Sequence, residues 1–457
     1  MEATVSDARP AREGPATFRD VFGQSEFRAI FAANTLSWVG DYLARAAVTV
    51  LVLRETDSVA LSAAAFAASY LPWLVGGPLL SALAERHRYR RVMVVCDLLR
   101  MALMALVAMP WMPTWSVFAL IFLATLANPP SQAARSALMP HILTGDRLVV
   151  GLSAFTSAGQ AAQVVGYLIG ATVAALNPNT ALLVNAVTFG VSAALVRFGV
   201  RERPPAMTEV HRSHLLRETV QGFQIVFERP VLRAIAVLVF SAMLFSIVPE
   251  GLAAGWAADR TDGRMDAGTA QGLIMAAVPV GYILGGLTIS RLVGPERRLT
   301  LMRPLMIIAP ATLVPALFNP PPTVVALLAA GCGFAVAGLV PVANSLFVQA
   351  LPDGFRARAF GVMASGTQII QGAAVLATGA LAERFSVPSV VGVWSAAGVL
   401  IMTVAALAWP RSQVIHEAIE AARAESATGA GTAHTHSRGP APGDRNREHG
   451  RHRHAVT

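Results

Sequence analysis

Lysine is absent from this chain: all 36 basic side chains among its 457 residues are arginine. Charged residues of both signs make up only 14% of the sequence, against about 25% in soluble domains. Whole stretches carry no charge at all. No Asp, Glu, Lys or Arg occurs between Asp57 and Glu85, Arg100 and Arg135, Arg147 and Arg197, Asp266 and Arg291, Arg303 and Asp353, Arg358 and Glu383, or Arg384 and Arg411. A bilayer core about 30 Å thick takes about 20 apolar residues per helix, so each stretch holds one or two membrane spans. These absences exclude a soluble globular enzyme. Cysteine is scarce too. Cys96 and Cys332 both lie in apolar runs, as packing thiols rather than a disulfide framework. The first 28 residues mix Arg, Asp and Glu without an apolar core, so no cleavable signal peptide is expected. A net charge of +9 has no soluble folded face to sit on, which argues against a nucleic-acid partner.

What is present is apolar: 54% of the chain is hydrophobic and the mean hydropathy is +0.54. Windows of about 20 residues predict twelve spanning helices. Six run near Ala29–Leu53, Leu61–Leu83, Val92–Trp111, Trp115–Leu138, Leu148–Ala175 and Ala181–Phe198. Six more run near Leu232–Ala257, Ala267–Val293, Leu299–Phe318, Thr323–Leu351, Ala359–Leu381 and Val387–Trp409. The expected fold class is an all-α membrane protein of two six-helix bundles, residues 29–198 and 232–409. With the N-terminus inside, inner loops (among them those with Arg135 and Arg147) hold eighteen arginines, and outer loops hold only Arg54, Arg260, Arg264 and Arg384. That imbalance places both termini in the cytoplasm of a multi-pass cell-membrane protein. Residues 1–28 form a cytoplasmic segment and residues 199–231 a cytoplasmic central loop. Leu216, Val220, Phe223 and Phe227 recur in that loop at helical spacing, so an amphipathic helix is expected on the membrane surface. The tail, residues 410–457, is expected to be mostly disordered beyond a short helix near Ser412–Arg423. Its His434, His436, His449, His452 and His454 read as a solvated tract rather than a metal site.

An ionisable group in mid-membrane is costly and therefore a functional candidate. Asp41 lies about 18 Å along the first span, near the bilayer middle, and Arg45 follows one turn on. The two are expected to face each other as an ion pair, either coupling protons or locking helices together. Asn34 and Trp38 share their face and suggest a cavity wall. Glu250, after Pro249 in the seventh span, is the other deep acid and the second proton-coupling candidate. Gln132, Gln160, Gln163, Asn344, Gln368 and Gln371 lie in other spans, where each can bind cargo or stitch helices. No metal, nucleotide or nucleophile constellation is visible, and a membrane enzyme would need clustered His, Asp or Cys at span ends. No cofactor is expected, and the absence of a phosphate-binding glycine loop argues against ATP as energy source.

Gly77-Pro78-Leu79, then Glu85-Arg86 and Arg90-Arg91, resemble the signature between the second and third spans of the major facilitator superfamily. Ser81 stands where that pattern has Gly, and Glu85 where it has Asp. Asp97-Leu98-Leu99-Arg100, Asn128-Pro129-Pro130, Leu138-Met139-Pro140 and Arg356-Ala357-Arg358 resemble the branch of siderophore exporters and macrolide efflux proteins. Gly285-Gly286-Leu287 leads a fainter second copy of the signature. In the fifth span Gly166 and Gly170 fit the antiporter pattern, with Tyr167 in place of its proline. The resemblance implies a secondary transporter that exports a small organic molecule by proton antiport. Its alternatives are an uptake or lipid-moving permease and a non-transporting membrane scaffold. It also implies a gating loop of Glu85, Arg86, Arg90, Arg91, Asp97 and Arg100, whose charges join inner span ends of both halves and break as the protein opens inward.

Overall fold

The computed structural model describes residues 16–72, 87–203, 215–259, 265–352 and 355–436, and all regular structure among them is helical. A helix satisfies its own backbone polar groups, which is what a hydrocarbon slab demands of a crossing segment.

The first half contains α1 (Phe18–Phe22), α2 (Ser25–Thr56), α3 (Val59–Ala67), α4 (Tyr89–Val107), α5 (Thr114–Leu126), α6 (Asn128–Ile142), α7 (Asp146–Leu176) and α8 (Pro178–Gly199). A linking helix α9 (Leu215–Glu228) leads to the second half. That half comprises α10 (Pro230–Ser246), α11 (Val248–Asp259), α12 (Ala267–Leu292), α13 (Pro295–Ala311), a 3-10 turn (Val314–Phe318), α14 (Pro322–Gln349), α15 (Arg356–Ala382) and α16 (Val387–Leu407). A last helix, α17, covers Ser412–His436.

Among the described residues, ten helical segments are long and apolar enough to cross a membrane, with α5–α6 and α10–α11 each counting as one. The two other expected spans have separate explanations. The span over 61–83 is described only as far as residue 72, and α4 carries Arg90, Arg91, Asp97 and Arg100 within its length. Breaks fall where the backbone loses donors. Pro129 and Pro130 open α6, and Pro249 lies in the first turn of α11, next to Glu250. Large apolar side chains face outward on many helices, Leu176, Phe198 and Leu407 being more than four-fifths exposed. This is the surface of a protein solvated by lipid.

Each half has its own apolar interior, around Leu43, Val48, Val107 and Phe189 in the first and Ile235, Leu238, Met306 and Phe347 in the second. A third apolar cluster, with Phe66, Tyr167, Trp256, Ile274 and Val375, spans both halves. Gly166 and Gly170 let α7 lie directly on α2: a Cβ at either would come within 2.6 Å of Tyr42 or Leu43 atoms.

The linking helix α9 forms within the expected central loop and packs on the second half. Its Gly222 sits against Arg358 and its Ile225 and Val226 are buried in the second half, leaving Val220 and Phe223 exposed. The C-terminal helix continues to His436, past the expected short helix ending near Arg423. Residues 437–457, with His449, His452 and His454, lie outside the described residues.

Candidate functional site

A cavity of about 440 Å³ lies between the two halves, within the range of about 300–1,000 Å³ usual for small-molecule sites. Its walls come from α2, α4, α6, α7 and α8 on one side and α10, α11, α12, α14 and α15 on the other. One end of the molecule, where α4 begins and α8 ends, carries Arg88, Arg90, Arg91, Arg201 and Arg203, and is called the basic end below. Away from it the halves are joined. Gln271 on α12 donates to Ala46 O at 3.1 Å and Thr49 Oγ1 at 2.9 Å on α2. At the far rim the Glu383 carboxylate accepts from Ser58 Oγ at 2.5 Å and from the Ala60 N–H at 2.9 Å. Those donors hold the Glu383 carboxyl below the usual carboxylate range. They also place a negative charge at the N-terminus of α3, where the helix dipole favours it.

The cavity floor is built on two groups of buried charges. In the first, Arg100 on α4 donates to Asp41 Oδ1 at 2.5 Å, lies 4.0 Å from Asp97, and places its guanidinium 4.0 Å from the Phe189 ring centre. Ser192 on α8 donates to Asp97 at 2.7 Å. The expected Asp41–Arg45 pair is therefore corrected: Asp41 pairs with Arg100, and Arg45 turns to tyrosines. Arg45 donates to Tyr70 OH at 3.3 Å, with the Tyr70 and Tyr42 ring centres at 4.9 and 5.2 Å. An aromatic box accommodates a guanidinium well, and Arg100 reaches Asp41 across the helix interface with ion-pair geometry. In the second group, Glu250 on α11 is 3% exposed and accepts from Tyr167 OH at 2.9 Å and Gln163 Nε2 at 3.5 Å, both on α7 of the other half. Arg45 lies within electrostatic reach of Glu250.

Asn34, Trp38, Gln132, Gln160, Gln163, Gln368 and Gln371 line the cavity. Asn344 does not. It is exposed one turn beyond Val340, the last α14 residue on the wall, so its expected place in the cavity is corrected. Asp97 and Arg100, expected in a gating loop, are buried in the α4 interior and belong to the cavity floor, because α4 begins at Tyr89 and carries them inward. Glu85 and Arg86 fall outside the described residues. Arg90 and Arg91 pair with Glu202 of their own half at 2.6 and 3.3 Å, as does Arg88 at 3.0 Å, rather than with the second half. Glu202 lies just past the end of α8 and takes all three arginines. The three arginines hold its carboxyl below the ordinary range.

Sequence reasoning left out several residues of this site, among them three tyrosines and Arg135. Tyr42 and Tyr70 offered no signal beyond their type, and Tyr167 read only as a departure from the antiporter pattern. Arg135 was counted as a loop charge, yet it lies within α6 on the cavity wall, beside the rings of Trp38 at 5.0 Å and Phe155 at 5.3 Å. Its position seven residues after Asn128, inside the proline-led helix, was the available clue.

A model of the Major Facilitator Superfamily matches residues 30–335 and 267–442, which together span nearly all the described helices. The chain belongs to the Major Facilitator Superfamily. Macrolide efflux protein A of Streptococcus pyogenes is 24% identical over 157 residues, 33% of this chain and 37% of that protein's length. The match therefore spans little more than a third of that relative. Among solved structures, a mutant of the nucleoside transporter NupG superposes with a TM-score of 0.63 at 16% identity, covering 83% of this chain and 98% of that one. A POT family transporter in complex with a thioalcohol-conjugated peptide gives 0.67 at 13% identity, covering 83% and 94%. At such identities the likeness is one of fold. Membership of the superfamily makes this chain an integral membrane transporter.

Proposed function

We propose that this chain exports a small organic molecule across the cell membrane in exchange for protons, by alternating access. In this reading the basic end and both termini are cytoplasmic, and the structure is the inward-facing conformation. The observation that carries it is Glu250: a buried acid on one half whose hydrogen-bond donors, Tyr167 and Gln163, belong to the other. These donors and the nearby Arg45 surround the carboxyl only while the far end is closed, so its setting differs between the two transport states. When the halves part there, those donors withdraw and the carboxylate accepts a proton from outside. Closure returns the donors and expels the proton inward, freeing the cavity for cargo. Asp41, the first candidate on depth alone, is held by Arg100 within one half and serves the shape and charge of the floor. The partial likeness to a macrolide efflux protein supports the outward direction.

The test is transport in proteoliposomes with an imposed pH gradient and a panel of labelled solutes, macrolides included. A solute should move against its gradient as protons flow the other way, and the flow should stop when the gradient is collapsed. Gradient-independent movement of every transported solute overturns proton antiport. Thiol probes at Asn177 and Asn319 should react with an impermeant reagent from outside, and one at His87 should not; the reverse pattern overturns the orientation.

A further inference from the structure

The cavity holds three arginines, and two of them have evident counterparts. Arg100 pairs with Asp41 and Asp97, and Arg45 lies in its tyrosine box near Glu250. Among the ion pairs of the described residues none uses Arg135. Its guanidinium lies beside the rings of Trp38 and Phe155, which meet each other edge to face, and one N–H is given to Asn34 Oδ1. What remains are its other N–H groups. Arginine is donor-only, so the amide oxygen of Asn34 must be the atom facing it, and Asn34 Nδ2 is left as a buried donor with no partner. Gln132, three residues before Arg135 on α6, lines the same wall. An uncompensated cation and an orphaned amide donor side by side ask for an acceptor that carries negative charge.

We propose that Arg135 and Asn34 form an anion subsite, and that the cargo bears a carboxylate on an apolar body. The guanidinium presents its N–H groups as a planar fork, which a planar carboxylate fits with two donors at once. The inference rests on the exporter reading for its biological meaning, but the subsite can be tested by binding alone.

Equilibrium dialysis of the purified full chain in detergent, with labelled 1-naphthoate and its neutral counterpart 1-naphthamide, reads the subsite directly. Wild type should bind the naphthoate at least about tenfold more tightly than the amide. Arg135→Gln should remove that preference and leave the amide unaffected, while Arg135→Lys should keep part of it. Asn34→Asp retains the arginine and supplies an internal carboxylate in the ligand's place, so it should also abolish the preference without depending on loss of the buried cation. Equal binding of the two probes by wild type, or an undiminished preference in both Arg135→Gln and Asn34→Asp, overturns the proposal. Export and subsite fail separately. Arg135-dependent naphthoate binding in a protein that moves no solute sinks the exporter reading and keeps the subsite. Proton-driven export with no carboxylate preference does the reverse.

Discussion

Asp41 and Glu250 line the same cavity, yet the structure partners them in opposite ways. Asp41 takes a guanidinium from its own half, through Arg100, and that cation is shared with Asp97 and steadied by Phe189. Glu250 takes neutral donors from the other half, through Tyr167 and Gln163. A contact inside one bundle survives any rocking of that bundle as a body. A contact across the seam exists only while the seam is closed. Depth in the membrane therefore does not separate a structural charge from one that senses conformation, whereas the half that supplies the partner does.

The sharpest way to break this comparison is to neutralise each acid in turn. Glu250→Gln should lower pH-driven transport at least about tenfold, while exchange of cargo at equal pH persists. Asp41→Asn should leave most of the pH-driven rate. Reversed effects in the same proteoliposome assay would return the coupling role to Asp41. Next comes stability. Arg100→Leu strands the buried Asp97 and the half-buried Asp41, a loss of up to about 3–5 kcal/mol, the range for a broken buried pair. The purified variant should therefore melt well below wild type, and adding Asp41→Asn should recover part of the loss. A wild-type melting curve for Arg100→Leu would show that the cluster is not structural.

The seam itself can be wedged open. A Cβ at Gly268 on α12 would lie 2.3 Å from the Ala175 Cβ and 2.8 Å from the Ala171 carbonyl oxygen on α7, whereas Gly286 on the same helix meets nothing within 4 Å. Gly268→Leu should raise labelling of a Thr49→Cys probe from the far side, and Gly286→Leu should not. Equal labelling in the two would mean that the α7–α12 contact does not control access. The smallest effect belongs to the rim. The Glu383 carboxyl is held below its usual value of 4.5, so its bonds to Ser58 and Ala60 are intact above that pH and are lost as pH falls through the depressed value. Spin labels at Asp57 and Arg384 should move apart in acid, and Glu383→Gln should remove that pH step. A separation that does not vary with pH in wild type would remove the latch.

Much of the architecture was legible because it follows from one-dimensional facts. Charge-free runs of span length, proline and asparagine turns between them, and lopsided arginine placement read without tertiary knowledge. The two deep acids announced themselves by interrupting otherwise apolar spans, and the helical spacing of Asn34, Trp38 and Asp41 marked a common wall. Partner choice was not legible. The Arg45 guanidinium is one turn from Asp41 in sequence, but Arg100, 59 residues away, makes the ion pair. Tyr167 looked like a departure from the antiporter pattern, yet its hydroxyl donates to Glu250. Asn344 had the right composition and a position one turn too far along its helix.

The sequence by itself determined that this chain crosses a membrane many times, where turns part its spans, and that the first and seventh spans carry a deep acid, because hydrocarbon tolerates only self-bonded helices and penalises every ion. Only the tertiary structure decided which charges meet. Guanidinium and carboxylate groups reach several ångströms from their backbones, so the packing of α2 and α4 on α8, and of α2 on α7, rather than spacing along any one helix, selects their partners. The crossing of the two halves likewise left Arg135 on the cavity wall without an acid among the described ion pairs.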